Sequence, residues 1–306
     1  MLNLDIRTVL ISYTLCNLIC AIVTCSLWRQ NRTRFAGLGL CLANFVLNFI
    51  GIFLLSLRGI TSDFLSIVIA NALLAAATLL LYMGLAEFLE RKINQIHNYI
   101  LLGIYIALQT WLTYGHPHLQ DRAILFSVII VIFVGQIVWM LFTIRDSVIQ
   151  SIIKEMRAVS IFYVLLGVGR IIHVLFFPLG NDLLRTGPME PYLFLGFQVF
   201  YVSATFYFFL MVNKRLVHSL EADIIERKTT QSELLLSQEK FIKAFINSPD
   251  PMLISRMEDG LILDANEAFG RLVGHNRAEV LNSTTLKLGI WADPDERTKV
   301  IKHMDT

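Results

Sequence analysis

The chain has 306 residues, of which 55% are hydrophobic and 16% are charged, whereas soluble globular proteins carry about 25% charged residues. Its formal net charge is only +2, and the basic residues are spread over many short loops, which excludes a protein built to bind nucleic acid. Four cysteines without a CxxC pair lie in the first two apolar runs, and this argues against a disulfide framework.

The chain divides into an apolar part and a water-soluble part. Residues 8–211 form almost unbroken apolar runs with charges only between them, whereas residues 212–306 have an ordinary soluble composition. These patterns predict a mainly α-helical protein with three parts. Residues 1–211 form a seven-helix transmembrane bundle, residues 212–246 a long cytosolic connecting helix, and residues 247–306 a small α+β module.

Seven segments are long and apolar enough to cross a membrane. Crossing about 30 Å of hydrocarbon takes roughly 20 apolar residues in a helix, which satisfies its own backbone hydrogen bonds without water. The fourth segment is the shortest of the seven. The predicted spans are Thr8–Trp28, Phe35–Leu57, Phe64–Leu85, Tyr99–Tyr114, Ala123–Ile144, Ala158–Phe176 and Tyr192–Met211.

The basic residues of the loops predict the orientation of the bundle. Under the positive-inside rule, cytoplasmic loops carry more Lys and Arg than the loops on the other side. The loops after the first, third and fifth spans carry Arg29, Arg32, Arg34, Arg91, Lys92, Arg145, Lys154 and Arg157, and the opposite side carries Arg7, Arg58, Arg122 and Arg185. The N-terminus is therefore predicted to lie outside the cell, and the C-terminal part is predicted to lie in the cytoplasm.

Two polar side chains of the sixth span are candidates for a sensing site. The loops between spans are short, so we expect any stimulus to be read within the bilayer or at its edge. Arg170 and His173 are three residues apart, which places them on one helical face. They form either a ligand or proton site, or a structural pair in which Arg170 reaches the outer headgroups and His173 bonds a neighbouring helix.

Two further histidines, His116 and His118, lie in the loop after the fourth span, on the same side as His173. Three imidazoles could gather a metal ion or haem. The string HPH is also typical of a polar turn, because Pro117 separates the two histidines. Both histidines are candidate sensing residues, and no metal site is predicted.

The seventh span is expected to continue into a cytosolic helix, because no Gly or Pro occurs between Met211 and Pro249. A seam with alternating spacings of three and four residues predicts a parallel homodimeric coiled coil, in which Leu220, Ile224, Leu234 and Phe241 relay a signal. A single amphipathic helix is the alternative. The whole seam is Val217, Leu220, Ile224, Arg227, Gln231, Leu234, Gln238, Phe241 and Phe245.

The last sixty residues alternate short strands and helices. Met252–Ser255 and Leu261–Asp264 flank a turn and predict a β-hairpin. Asn266 suits the N-cap of a following helix, and Gly274 suits its C-terminal end. Asp293 and Pro294 begin a final helix that runs through Met304.

These residues resemble the PAS domain family, in particular the sensory-box type of bacterial signalling proteins. The resemblance lies in the DG turn at Asp259 and Gly260, the DANEAF run that contains Asp264 and Asn266, the glycine at Gly274, and the WADPDER run that begins at Trp291. It implies a five-stranded sheet of which only the first two strands are present, so we expect a longer parent protein. Relatives often bind haem or flavin, but no cofactor is predicted here because the pocket would be half built.

The membrane part is similar to the N-terminal sensor regions of bacterial diguanylate cyclases and related signalling proteins. The similarity lies in DIRT at Asp5–Thr8, WRQNRTR after the first span, and SDFLSIVIAN after the second. It implies a location in the bacterial inner membrane and an output domain outside these residues, either a diguanylate cyclase or a sensor histidine kinase. No catalytic motif occurs in the chain itself, so no enzymatic activity is predicted for it.

Together these features predict a transmembrane signal-transduction receptor whose partners are the lipid bilayer and a second copy of the chain. A multi-pass transporter or channel is the alternative. That class predicts internal repeats and helices broken by Gly or Pro near the midplane, whereas the spans here are mostly uninterrupted.

Overall fold

A computed structural model describes residues 5–177 and 189–304 of the chain. The structure divides into two compact units, Met1–His218 and Ser219–Thr306. The first unit contains the apolar helices, and the second contains the C-terminal part of the long helix together with a small α+β module.

The first unit is a bundle of long helices that alternate in direction. A π-helical turn over Phe64–Ile69 leads into the third helix. The helices are α1 (Ile6–Asn31), α2 (Leu38–Ser56), α3 (Ala70–Phe88), α4 (Ile96–Tyr114), α5 (Leu119–Thr143), α6 (Gln150–Phe176) and α7 (Met189–Phe241). The end of the bundle at which α1 begins is called the N-terminal end below.

Local residues explain how the first helices begin. The Asp5 carboxylate accepts hydrogen bonds from the backbone amides of Arg7 and Thr8 and caps α1. Gly37 precedes α2 with a φ of +78°, and a Cβ atom there would lie 2.7 Å from the backbone nitrogen of Phe88. Glycine is therefore required, because the left-handed backbone and the close approach of α3 both exclude a side chain.

Six helices within the described residues are long and apolar enough to cross a membrane. They correspond to six of the seven predicted spans, and the fourth predicted span is the exception. Its residues form the 19-residue helix α4, but this helix is not among the six. Polar side chains such as Asn98 and Gln109 lower its apolar content, so the prediction of seven spans is supported for six.

Helix α4 is joined to α5 by a pair of side-chain amides. The Asn98 amide nitrogen donates to the Gln136 carbonyl oxygen at 3.0 Å, and Gln136 donates back to Asn98 at 2.9 Å. Amide pairs of this kind join helices in membranes, where each bond contributes about 1 kcal/mol. This polar pair therefore has a structural role between two helices of the bundle.

Large apolar side chains cover much of the outer surface of the bundle. They include Ile11, Leu15, Ile19, Ile22, Phe142, Leu165, Ile172 and Phe206, and Trp139 has 76% of its surface exposed. Monomeric soluble proteins rarely expose apolar patches this extensive. A lipid environment removes the penalty, because hydrocarbon chains solvate these side chains.

The predicted connecting helix is confirmed as a direct continuation of the last apolar helix. Helix α7 has 53 residues and is followed by a π-helical turn over Ile242–Ile246. The absence of Gly and Pro from residues 212–241 allows the helix to continue beyond its apolar part, because no residue there interrupts the backbone hydrogen bonds. The side chains of the seam are exposed from Val217 to Phe241, whereas Phe245 is buried.

The α+β module contains one hairpin and three short helices. Strands β1 (Leu253–Ser255) and β2 (Ile262–Ala265) pair antiparallel with a register shift between Ile254 and Ser255, each close to its predicted position. The helices are α8 (Glu267–Val273), α9 (Arg277–Val280) and α10 (Pro294–Met304). A small core of Ile262, Ala265, Phe269 and Val280 joins the hairpin to α8 and α9.

Candidate sensory site

The predicted candidate Arg170 forms a buried ion pair with Glu190. The Nη2 atom of Arg170 donates to Oε2 of Glu190 at 2.9 Å, and its Nε atom donates to Oε1 at 3.4 Å. The two side chains are only 5% and 1% exposed. Arg170 therefore does not reach toward the headgroups, because the two-pronged pairing with Glu190 offsets the cost of its burial.

Glu190 was missed by the sequence analysis because it lies just outside the predicted seventh span. It belongs to the first turn of α7, whereas the predicted span begins at Tyr192. Its position could have identified it, since an acidic residue at the start of an apolar helix needs a partner when it is buried. The pair links α6 to the start of α7.

Arg170 also lines a cavity of about 40 Å³ at the N-terminal end of the bundle. Six helices supply its lining, because the ends of α2, α4 and α6 meet the beginnings of α3, α5 and α7 there. The polar groups of the lining are Arg58, Asn71, Gln109, Arg122 and Arg170. Arg58 follows α2, and the other four side chains lie toward the ends of their helices, so chain reversals gather residues that are far apart in sequence.

The three candidate histidines do not form a common site with Arg170. His116 and His118 are exposed, and His116 lies against the Trp111 ring at 5.0 Å. His173 is stacked on Phe177 at 5.4 Å, and its Nδ1 atom is buried without a hydrogen-bond partner among the described residues. In the same part of the chain no three His, Cys, Asp or Glu side chains are placed to hold a metal ion, so the structure gives no support to a three-imidazole site.

Aromatic side chains connect the interior of the bundle to α7. Tyr163 of α6 is stacked on Phe200 at 3.9 Å, and Tyr201 lies 6.1 Å from Tyr13 of α1. The hydroxyl groups of Tyr201 and Thr78 are 3.4 Å apart, which adds a polar contact with α3. Helix α7 therefore contacts three other helices within one layer of the core.

Arg215 holds α7 at the opposite end of the bundle, where the helix leaves the apolar unit. Its Nη1 atom donates to the backbone oxygen of Phe88 at 2.8 Å, and its Nη2 atom donates to Asp146 at 2.7 Å. The guanidinium carbon lies 4.9 Å from the centre of the Phe88 ring. Arg215 thus joins α7 to the end of α3 and to the loop before α6.

The carboxylate of Asp146 is ionised at neutral pH. Burial raises its pKa, but hydrogen bonds from Arg215 and from the amides of Val148 and Ile149, with the charge of Arg215, lower the pKa below its usual 3.8. The ion pair with Arg215 is therefore intact under physiological conditions. This contact could not be predicted from the sequence, because Asp146 and Arg215 are 69 residues apart.

In the α+β module, the predicted residue Asn266 connects four segments of chain. Its side-chain oxygen accepts from the amides of Met252 and Phe269, each at 2.9 Å. Its side-chain nitrogen donates to the backbone oxygens of Phe245 at 3.1 Å and Asp250 at 2.7 Å. Asn266 is 1% exposed, and it therefore joins the end of the long helix, the linker, the hairpin and α8.

The other predicted motif residues of the module serve its local structure. Gly274 ends α8 with a φ of +74°, as predicted from its position. Asp264 accepts a hydrogen bond from Arg277 at 2.8 Å, which links β2 to α9. The indole nitrogen of Trp291 is buried without a hydrogen-bond partner among the described residues.

Residues 240–303 match the PAS fold family. The matched segment begins at the end of α7 and extends into α10, so it includes Asn266 and the whole hairpin. This match confirms the resemblance to the PAS family. A PAS domain implies a signal-sensing module, and here it follows a set of helices that are long and apolar enough to cross a membrane. Comparisons of the chain with curated proteins and with solved structures give no match.

Proposed function

We propose that this chain is the sensory part of a transmembrane receptor, in which α7 transmits a change in helix packing from the bundle to the PAS domain. The observation that supports the proposal is that α7 begins inside the bundle and ends at the PAS domain. It begins with the buried residue Glu190, passes the Arg215 contacts, and leads to Phe245, whose carbonyl oxygen is bound by Asn266. From Met189 to Phe241 the helix is continuous, so a movement of its first turn is proposed to be transmitted along it.

The proposed orientation places the N-terminal end of the bundle outside the cytoplasm of a bacterial cell. The asymmetry of Lys and Arg between the two sets of loops supports it. Under this orientation, the cavity beside Arg170 faces the exterior and Arg215 lies at the cytoplasmic surface. The PAS domain is then in the cytoplasm, where signalling enzymes are found.

A parallel homodimer is the proposed assembly, formed by the cytosolic part of α7. Leu220, Ile224, Leu234 and Phe241 repeat at heptad spacing and are each at least 40% exposed, so this stripe gains from burial against another helix. A second copy is the natural partner because both chains are held in one membrane in the same direction. Polar residues at Gln231 and Gln238 weaken the seam and keep two packings close in energy.

The bundle and PAS domain are proposed to control an output enzyme and to perform no catalysis themselves. The resemblance of the membrane part to bacterial sensor regions supports a diguanylate cyclase or a histidine kinase as that enzyme. Both enzyme classes are commonly controlled by the arrangement of a dimer, which fits a signal carried by a helix pair.

Cysteine cross-linking tests the proposal with a matched pair of leucines. Leu234→Cys lies on the seam, whereas Leu236→Cys lies on the opposite face, and the two leucines are similarly exposed at 58% and 52%. We expect disulfide-linked dimers from Leu234→Cys and at least fivefold fewer from Leu236→Cys, because only the seam brings Cα atoms within about 7 Å.

The same assay measures whether the bundle controls the seam. Adding Glu190→Gln to Leu234→Cys breaks the buried ion pair, and we expect the cross-linking yield to change at least twofold in membranes. Equal cross-linking yields from Leu234→Cys and Leu236→Cys would contradict the proposed dimer. A Leu234→Cys yield that Glu190→Gln leaves unchanged would contradict transmission through α7.

A further inference from the structure

The cavity at the N-terminal end of the bundle contains hydrogen-bond donors that the protein itself does not use. Arg122 is 7% exposed, and its Nε atom is buried without a hydrogen-bond partner among the described residues. Glu190 is bound to Arg170, and the acidic residue that interacts with Arg122, Asp63, is exposed. An unpaired donor on a buried cation is costly, so this site favours an acceptor that carries negative charge.

Gln109 supplies a second and independent indication of a ligand. It lines the same cavity and is only 1% exposed. Within the part of the chain that the structure describes, neither its amide nitrogen nor its amide oxygen has a hydrogen-bond partner. Buried amides are normally bonded, and an unpaired one calls for a missing partner. The Gln109 nitrogen requires an acceptor, as Arg122 does, and its oxygen accepts from a water or a ligand hydroxyl.

The size and walls of the cavity limit what can bind. A volume of about 40 Å³ holds on the order of three water molecules, which suits a carboxylate group and is too small for a nucleotide or a sugar phosphate. Leu74, Phe126 and Phe194 line both this cavity and a second, deeper chamber of about 20 Å³. The polar head of a ligand would therefore contact polar side chains of the cavity, and its apolar tail would contact apolar side chains.

We infer that this cavity binds the carboxylate group of an organic acid, with Arg122 and Gln109 donating to its oxygens and Leu74, Phe126 and Phe194 contacting its carbon chain. A guanidinium group matches the planar carboxylate in shape and charge. The acid comes either from solution, as a short monocarboxylate, or from the membrane, as a fatty acid of which only the carboxylate and the first carbons enter the cavity. Binding of the acid does not depend on the proposed sensory function. The inference that this acid is the stimulus rests on that function.

Direct binding to the full chain in lipid nanodiscs tests the site. The probes are propionate, decanoate and the neutral analogue propionamide, measured by calorimetry. We expect saturable binding of a carboxylate and at least tenfold weaker binding of propionamide. Binding of propionate identifies a soluble acid as the ligand, and binding of decanoate alone identifies the membrane as its source.

Two variants separate loss of the site from loss of folding. Arg122→Gln is expected to weaken carboxylate binding at least tenfold, whereas Arg34→Gln, an exposed arginine at the other end of the bundle, leaves it unchanged. Gln109→Glu places a tethered carboxylate in the cavity. We expect this variant to abolish binding without lowering the midpoint of thermal unfolding, because the new side chain pairs with Arg122.

The outcomes distinguish this inference from the proposed function. If neither acid binds, if propionamide binds equally well, or if Arg122→Gln behaves like Arg34→Gln, the carboxylate site is wrong. If an acid binds but cross-linking of Leu234→Cys does not respond to it or to Glu190→Gln, the site stands and the sensory function fails. If no acid binds while Glu190→Gln changes cross-linking, the receptor stands and the site fails.

Discussion

Arg170 and Glu190 carry opposite charges and are both almost completely buried. Removing one partner leaves the other as an uncompensated buried charge, whereas replacing both by apolar groups removes the desolvation cost together with the attraction. The pair therefore fixes the position of the first turn of α7 more than it stabilises the bundle. Single and double variants at these two positions test this role.

We expect Arg170→Met to lower the free energy of unfolding by about 3–5 kcal/mol, because Glu190 is then buried alone. The double variant Arg170→Met with Glu190→Met should recover most of this loss. Unfolding of the full chain in micelles by titration with a denaturing detergent measures both effects, and Arg34→Met is the exposed control. A double variant as unstable as Arg170→Met would show that the charge pair is not the cause.

Asn266 offers a second prediction at the residue scale. Asn266→Ala leaves the amides of Met252 and Phe269 and the carbonyl of Asp250 without their partner, so we expect a loss of about 3 kcal/mol from the PAS domain. Asn276→Ala removes only an exposed helix cap and should cost about 1 kcal/mol. Hydrogen exchange at Met252 and Phe269 in the full chain measures the difference, and equal exchange in the two variants would contradict it.

At the scale of elements, α7 differs from the other helices in having two environments. Its first part packs among α1, α3 and α6 through aromatic contacts, and its last part is exposed on all sides from Glu221 to Phe241. Isolated helices of ordinary composition are marginally stable in water. The proposed association along the heptad seam would account for a long exposed helix, because it would replace exposed apolar surface by contact between two chains.

Insertions into this part of α7 test the seam. Seven residues inserted after Thr229 preserve the heptad phase, whereas four residues rotate the distal seam relative to the proximal one. We expect the seven-residue insertion to retain cross-linking at both Leu220→Cys and Leu234→Cys, and the four-residue insertion to reduce it at one of the two sites at least threefold. Equal yields from both insertions would mean that the helices do not pair in register.

The topology of the whole molecule depends on whether α4 crosses the membrane. It is a full-length helix bonded to α5 through Asn98 and Gln136, yet its sequence is less apolar than that of the six clear candidates. Contacts within the bundle allow a moderately polar helix to cross a membrane, because its polar face is turned toward protein. We therefore expect α4 to span.

Labelling of single cysteines from outside the cell tests this expectation. His116→Cys follows α4 and Lys92→Cys precedes it, and both positions are exposed. A membrane-impermeant maleimide should modify His116→Cys in intact cells and Lys92→Cys only after permeabilisation. If the two sites react alike in intact cells, α4 does not cross the membrane and the orientation of the preceding loops requires revision.

Residue patterns along the chain were enough to predict the apolar helices, the continuation of α7 beyond Met211 and the PAS motif. Each depends on local information, since span length, the absence of Gly and Pro, and the Asn266 cap are properties of neighbouring residues. Local rules also indicated Arg170 as a buried charge that requires an explanation.

The partner of each polar residue depends on how the helices pack and became clear from the three-dimensional structure. Glu190 lies twenty positions from Arg170, and Gln109 and Arg122 reach one cavity from different helices, because antiparallel packing brings helix ends together. The same packing left His116, His118 and Arg170 without a common centre, although the predicted orientation placed them on one side. A side-chain contact depends on the rotation and separation of packed helices, and neither quantity is encoded in the spacing of residues along a single helix.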